Sequence, residues 1–236
     1  MKKRRIQYLI LVVTGVLQFL FYQQRPLESY EYTFLMGSVM TYDNVDLLQM
    51  AAFPVPIIFL LFAISGKYQE ETRGYGFLLL VRNYSKTRYL LESDGKMGIL
   101  MIFQVIFLYA LYSCNVVGLW EYEMVHVAFS AVLRAIPMYG LVCLVLILLQ
   151  LILEMYVDPL FVTGILTLYV VSSVLFYPFM KQAWLLKLFV PALSVGAGNG
   201  AVSGGSKYAE NILYCVCAVV VLLTIQIKIF KKRSII

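Results

Sequence analysis

The chain has 236 residues, of which 61% are hydrophobic, 15% aromatic and only 14% charged. Soluble domains carry about 25% charged residues, so this chain has too little charge to cover its apolar surface in water. Each bilayer-spanning helix needs roughly 20 apolar residues, and a chain built mostly of such helices has no room for a soluble catalytic domain of about 100 to 200 residues. The composition therefore predicts an all-α membrane protein without a soluble catalytic domain, and any energy-coupling domain must lie on another polypeptide.

Six apolar stretches are predicted to span the membrane, so that residues 1–236 form a single transmembrane domain. The first follows a cationic block at residues 1–5 and lacks a small-residue cleavage site, so it is interpreted as an uncleaved span rather than a secretory signal. The second is interrupted near its start by Pro54 and Pro56, which an internal helix tolerates only where neighbours or water satisfy the freed carbonyls. The approximate spans are residues 6–22, 47–66, 97–119, 137–153, 159–180 and 212–230.

Two further segments are too polar or too broken to be spans. Residues 120–136 carry charged side chains, including Arg134, and end at Pro137. Because a charge at the bilayer centre costs at least ~2.5 kcal/mol, this segment is predicted to be amphipathic and external. Residues 181–208 contain lysines, a proline and a glycine-rich stretch, which favour re-entrant or interfacial helices before the last span.

The basic residues predict the orientation of the chain. With the N-terminus inside, the inner segments hold 14 of the 19 Lys and Arg residues. Because basic residues accumulate on the cytosolic side, both termini are predicted to be cytosolic, in a multi-pass protein of the plasma membrane. The same distribution argues against a nucleic-acid partner, since no separate basic module exists despite the net charge of +6.

The only long cytosolic segment is the loop at residues 67–96. It contains the acidic pair Glu70 and Glu71, an apolar run at residues 77–81 and a basic turn from Arg82. Two interpretations stay open on physical grounds. One is an interfacial helix that binds lipid headgroups through its cations, and the other is a docking helix that fits a groove on a soluble partner.

This loop resembles the one between the first two core helices of type-2 ATP-binding-cassette (ABC) export permeases. That family has a Glu, a Gly, an apolar run and a basic turn, followed by a Lys that begins the next span. The family's Pro after the Arg is absent, because Asn83 takes its place. The layout of spans, loops and cytosolic ends is similar over nearly the whole chain. The matching positions are Glu70 or Glu71, Gly74 or Gly76, residues 77–81, residues 82–86 and Lys96.

The resemblance implies a transport subunit that binds no cofactor itself, with ATP and Mg held by a separate cytosolic ABC ATPase dimer. A second permease chain, identical or not, would face this one across the substrate path. Permeases of this size resemble those that export lantibiotic or bacteriocin peptides or confer immunity to them, so a membrane-active peptide is the first expectation, with lipid, drug or ion export as alternatives. The residues that the resemblance places at the ATPase contact are Glu70, Glu71, Arg73, Phe77, Leu80, Arg82 and Lys86.

Other readings remain for individual residues and for the whole chain. Arg134 is a residue that snorkels to the outer surface, an ion-pair partner of Glu121 or Glu123, or a contact for an anionic or peptide substrate at the outer mouth. Glu154 and Asp158 are predicted to be a helix cap or an ion pair, or to anchor their turn against the long loop or the ATPase. The single histidine excludes a two-histidine metal centre, and no metal or catalytic site is predicted. A non-transporting accessory or sensor membrane protein is the alternative function.

Overall fold

A computed structural model describes residues 2–23, 53–67, 69, 85–117, 122–177, 183–194 and 206–232. These residues form seven α-helices and one short 3-10 helix, so the prediction of an all-α chain is confirmed for the described part. The helices are α1 (Lys2–Gln23), α2 (Val55–Ile64), α3 (Lys86–Val117), α4 (Tyr122–Glu154), α5 (Pro159–Phe176), α6 (Ala183–Leu188), the 3-10 helix (Val190–Ser194) and α7 (Ser206–Lys232).

Within the described residues, four helices are long and apolar enough to cross a membrane. They are Lys86–Leu111, Ile136–Glu154, Pro159–Phe176 and Tyr208–Lys232. Two shorter apolar helical stretches, Gln7–Leu17 and Val55–Ile64, coincide with the first two predicted spans. The chain is therefore a membrane-associated helical protein, and each of the six predicted spans overlaps a helix.

Helix α2 is short because both of its ends are set by residues that cannot continue a helix. Pro54 is the N-cap and Pro56 lies in the first turn, where the missing N–H has no helical partner to lose. Gly66 follows the helix with a φ of 74°, a left-handed conformation that favours glycine. The 10 residues between these ends extend only about 15 Å.

Helices α3 and α4 are longer than the sequence predicts. Helix α3 begins at Lys86, eleven residues before the predicted start of its span, so the last part of the predicted loop is helical. Leu90, Ser93 and Met97 are buried at helical spacing there. The charged residues Arg88, Glu92 and Lys96 of the same turns are exposed. Helix α4 continues through Pro137, where a break and an external segment are predicted.

Continuation through Pro137 has a local cost of about 3 kcal/mol, because proline removes one backbone hydrogen bond and its ring meets the preceding turn. Membrane helices tolerate this where neighbouring helices satisfy the freed groups. Helix α4 has such neighbours, since it packs against α2, α3, α5, α7 and the 3-10 helix. It is the most enclosed of the four long apolar helices, with 56% of its span buried compared with 11% for α7.

Helix α1 packs against α2 and α3, and Gly15 of α1 lies against Phe107 and Leu108 of α3. A Cβ atom placed on Gly15 would lie 2.8 Å from Cε1 of Phe107, closer than real side chains approach. A side chain at this position would therefore force Phe107 to shift.

Candidate functional site

The backbone carbonyls of α2 accept hydrogen bonds from glutamine side chains on three other helices. Gln104 and Gln150 are both almost completely buried, so these bonds form away from water. Interhelical bonds of this kind contribute about 0.6 kcal/mol on average within membranes, and up to ~1.7 kcal/mol. The short α2 is thus held mainly by its neighbours, through Gln7 to the carbonyl of Ala63 (2.6 Å), Gln104 to that of Pro56 (2.7 Å) and Gln150 to that of Leu61 (3.1 Å).

The end of α2 is also joined to the turn between α4 and α5 by a cluster of polar residues that we call the latch. The Gly66 N–H donates to both carboxyl oxygens of Glu154 at 3.3 Å. Gln150, one turn earlier on α4, donates its Nε2 to Glu154 Oε1 at 2.8 Å. Glu154 is only 2% exposed, so its carboxyl group depends on these two donors. The latch consists of Ser65, Gly66, Gln150, Glu154 and Thr163.

The latch extends to the first turn of α5 through two hydroxyl groups. The hydroxyl of Thr163 lies 2.8 Å from the carbonyl of Pro159 and 2.9 Å from Ser65 Oγ. The Ser65 hydroxyl donates to the same Pro159 carbonyl at 3.3 Å. Gln150 Nε2 donates to Thr163 Oγ1 at 3.2 Å. The end of α2 is therefore bound to both α4 and α5, and these three helices meet at one end of the bundle.

The predicted roles of Asp158 and Glu154 are tested by this geometry. Asp158 is the N-cap of α5, because its carboxylate accepts from the N–H of Leu160 at 2.9 Å, which confirms the predicted cap. Among the described residues, Glu154 accepts hydrogen bonds from the neutral donors Gly66 and Gln150. Glu154 therefore anchors its turn to Gly66, which comes directly before the segment predicted to be the long cytosolic loop.

Most of the residues predicted to contact an ATPase lie outside the described part of the chain. Lys86 is described, and it is the first residue of α3 rather than part of a loop. Arg134 lies within α4, three residues before Pro137, and its side chain is outside the described part. The predicted contact residues outside it are Glu70, Glu71, Arg73, Phe77, Leu80 and Arg82.

Sequence reasoning missed the buried glutamines, although a signal for them exists. Gln104, Gln150 and Gln226 each interrupt an apolar run, and a polar side chain at such a position is costly unless it reaches a partner on another helix. Each of them does so, since Gln226 of α7 donates to Asp94 of α3 at 3.1 Å. A glutamine inside a predicted span is thus a usable marker of a helix contact.

A second polar arrangement lies towards the other end of the bundle, around residues 183–194. The hydroxyl of Tyr169 donates to the carbonyl of Leu188 at 2.8 Å and accepts from the N–H of Val190 at 2.9 Å. Its ring is stacked on Phe189, with centroids 6.1 Å apart. One tyrosine of α5 therefore satisfies the irregular backbone between α6 and the 3-10 helix.

The position of Tyr169 shows how this segment runs. Tyr169 lies seven residues before Phe176, the last residue of α5, which corresponds to about 10 Å along the helix. The chain therefore folds back beside α5 after leaving it, and residues 191–194 are buried. Two short helices interrupted by a bend are consistent with the broken segment predicted here, while its glycine-rich stretch at residues 196–205 lies outside the described residues.

Cysteines and acidic residues do not add a metal site to the part of the chain that the structure describes. No group of three or more His, Cys, Asp or Glu side chains comes together there. Cys143 and Cys215 are buried, whereas Cys217 is exposed. The last two thus point to different faces of α7, as their spacing predicts.

A family model described as "Protein of unknown function (DUF2705)" matches residues 9–236. Because the match covers nearly the whole chain, the protein belongs to this family. No curated protein and no solved structure matches the chain.

Proposed function

We propose that this member of the family is the permease subunit of an ABC exporter of type 2. In this proposal the chain crosses the plasma membrane six times, has both termini in the cytosol and forms a dimer with a second permease chain. A cytosolic ATPase pair binds the loop that begins at residue 67. The observation that carries the proposal is the latch, because it joins the residue before that loop to two other helices of the bundle.

The arrangement of helix ends supports an even number of crossings. Gln7 near the start of α1 bonds to Ala63 near the end of α2, and the latch joins that end to the end of α4 and the start of α5. Gln226 near the end of α7 bonds to Asp94 near the start of α3. The cationic start of α1 and the lysines that end α7 thus lie towards the latch side, as expected for a cytosolic side.

The latch gives the proposed subunit a mechanical link. When the ATPase pair closes on ATP, it displaces the loop, and Gly66 moves with the loop because it is the next residue of the chain. The bonds from Gly66 and Ser65 then carry the displacement to Glu154 of α4 and Pro159 of α5. Rearrangement of these helices opens an outward path for an amphipathic substrate, with a membrane-active peptide as the first candidate.

The alternative is an accessory or sensor membrane protein that binds a partner without transporting. The first experiment is purification of the tagged full-length chain from its native host in mild detergent. We expect an ABC ATPase to co-purify, and its ATP hydrolysis to rise when the exported peptide is added. Recovery of the chain without any ATPase contradicts the proposal. A bound ATPase that responds to no substrate favours the accessory role.

The role of the latch is tested in the same complex with Glu154→Gln. This variant keeps the size of the side chain but weakens the acceptor for Gly66, so the ATPase should still bind while substrate stimulation of ATP hydrolysis falls about 5-fold or more. Glu210→Gln is the matched control, because Glu210 makes its ion pair with Lys187 far from the latch. Equal stimulation in both variants would contradict a coupling role for the latch.

A further inference from the structure

Helix α6 presents an exposed apolar face. Trp184 and Leu188 are each 61% exposed. They are four residues apart on a helix, so their side chains lie on the same face. Burying large apolar side chains of this kind away from water is favourable, because apolar area removed from water contributes about 25 cal/mol per Å².

The backbone of α6 is fixed to the bundle, which holds this face outward. The carbonyl of Leu188 accepts from Tyr169 of α5, and that of Lys187 accepts from Tyr214 of α7 at 2.8 Å. The side chain of Lys187 forms an ion pair with Glu210 of α7. With three attachments to two helices, α6 cannot rotate to bury Trp184 without breaking hydrogen bonds.

The surroundings of α6 indicate what covers this face. Its partners Glu210 and Tyr214 lie four and eight residues after the start of α7, or about 6 and 12 Å along that helix. Leu168 of α5 and Leu213 of α7, each next in sequence to a tyrosine that holds α6, are apolar and exposed, at 71% and 63%. Both helices are apolar enough to cross the membrane, so the face of α6 continues the lipid-facing surface of the bundle.

We propose that Trp184 and Leu188 form a lipid-binding surface that places α6 in the interfacial zone of the bilayer, in the leaflet opposite the lysine-rich end of α7. Tryptophan favours this zone because its ring is apolar and its indole N–H is polar. The ion pair beside it suits the headgroup level. This surface sets the depth at which the buried residues 191–194 enter the bundle, and the proposal does not depend on the transport function.

The two tryptophans of the chain, Trp120 and Trp184, make the proposal measurable by fluorescence quenching. The full-length protein is reconstituted into phosphatidylcholine–phosphatidylglycerol vesicles whose acyl chains are brominated either near the headgroup or near the chain end. The emission of Trp184 is obtained from Trp120→Phe, and independently as the difference between the wild type and Trp184→Phe. Either variant alone gives the signal, so a folding defect in one of them leaves the test intact.

We expect Trp184 to lose more than about half of its emission with lipids brominated near the headgroup, as an interfacial tryptophan should. Bromination near the chain end and aqueous iodide should quench it less. Strong quenching by iodide without quenching by bromolipids would place the face in water and overturn the proposal. Resistance to both quenchers would mean that protein covers the face, and would overturn it equally.

Discussion

Gln150 is the residue at which the energy of the latch is most directly tested. Its Nε2 has three acceptors within 3.2 Å, namely Leu61 O, Glu154 Oε1 and Thr163 Oγ1. Two N–H groups can serve only two of these at a time. Replacement by leucine keeps the side chain close to its original size and removes all of these interactions.

The expected loss follows from what remains buried after the substitution. Leaving a buried acceptor such as Glu154 Oε1 with a weakened hydrogen bond costs about 1–3 kcal/mol, and the other interhelical bonds add about 0.6 kcal/mol each. Gln150 Oε1 has no hydrogen-bond partner among the described residues, so its removal returns about 1 kcal/mol. The net destabilisation is therefore about 2 kcal/mol.

Gln104→Leu is a matched control for Gln150→Leu. Gln104 is equally buried, its Oε1 also lacks a partner in the described part of the chain, and its Nε2 donates only to Pro56 O. Removal of the unpartnered Oε1 stabilises both leucine variants by the same amount. In Gln104→Leu this gain nearly offsets the loss of the single bond to Pro56 O, so the free energy of unfolding should be almost unchanged. Any difference between the variants then measures the additional acceptors of Gln150.

The assay is thermal unfolding of the purified protein in detergent, followed by circular dichroism. We expect Gln150→Leu to lower the Tm by about 4–8 °C relative to Gln104→Leu. A double-mutant cycle with Glu154→Gln should show coupling, since the two side chains share one hydrogen bond. Equal melting temperatures for the two leucine variants would refute the assignment of the latch as a stabilising cluster.

Three further substitutions test other parts of the structure. Gly15→Val should destabilise the protein by about 1–3 kcal/mol, because its Cβ would lie 2.8 Å from Phe107. The control Gly164→Ala adds an atom with nothing within 4 Å of it, so it should raise the Tm or leave it unchanged. Equal effects of the two substitutions would contradict the close packing of α1 on α3. Asp158→Ala should cost about 1 kcal/mol by removing the N-cap of α5 while Asp158→Ser retains most of it, and identical melting curves for the two variants would exclude the cap. Tyr169→Phe should release the segment it holds, seen as faster limited proteolysis between α6 and α7, and an unchanged cleavage rate would exclude that role.

The helices could be predicted from the sequence because hydrophobicity alone determines which stretches suit a bilayer. The boundaries were harder to predict wherever charge and helix coincide. The many charged residues from Lys86 to Lys96 predict a cytosolic loop. Leu90, Ser93 and Met97, however, recur among them at helical spacing and are buried. Pro137 indicates a helix end by its chemistry, but the neighbours of α4 allow the helix to continue.

The latch lay beyond prediction for a different reason. The latch brings Gly66 into contact with residues of α4 and α5 that lie far from it in the sequence. This contact depends on how the three helices pack. The prediction for Asp158 succeeded because an N-cap is a local feature, bonded only two residues away. For Glu154 the sequence left a cap, an ion pair and an anchoring role open, and only the packing of α2 identified Gly66 as the group to which it is bonded.

Helices α5 and α7 differ in length, with 18 and 27 residues, or about 27 and 40 Å. In the proposed topology, a hydrocarbon core of ~30 Å matches α5, while α7 has to tilt or extend its lysines into the headgroups. A thicker bilayer therefore suits α7 and leaves the end of α5 short of the surface, at the place where the chain folds back to α6. We therefore expect a change in the thickness of the host membrane to shift the level of this part of the protein relative to the headgroups.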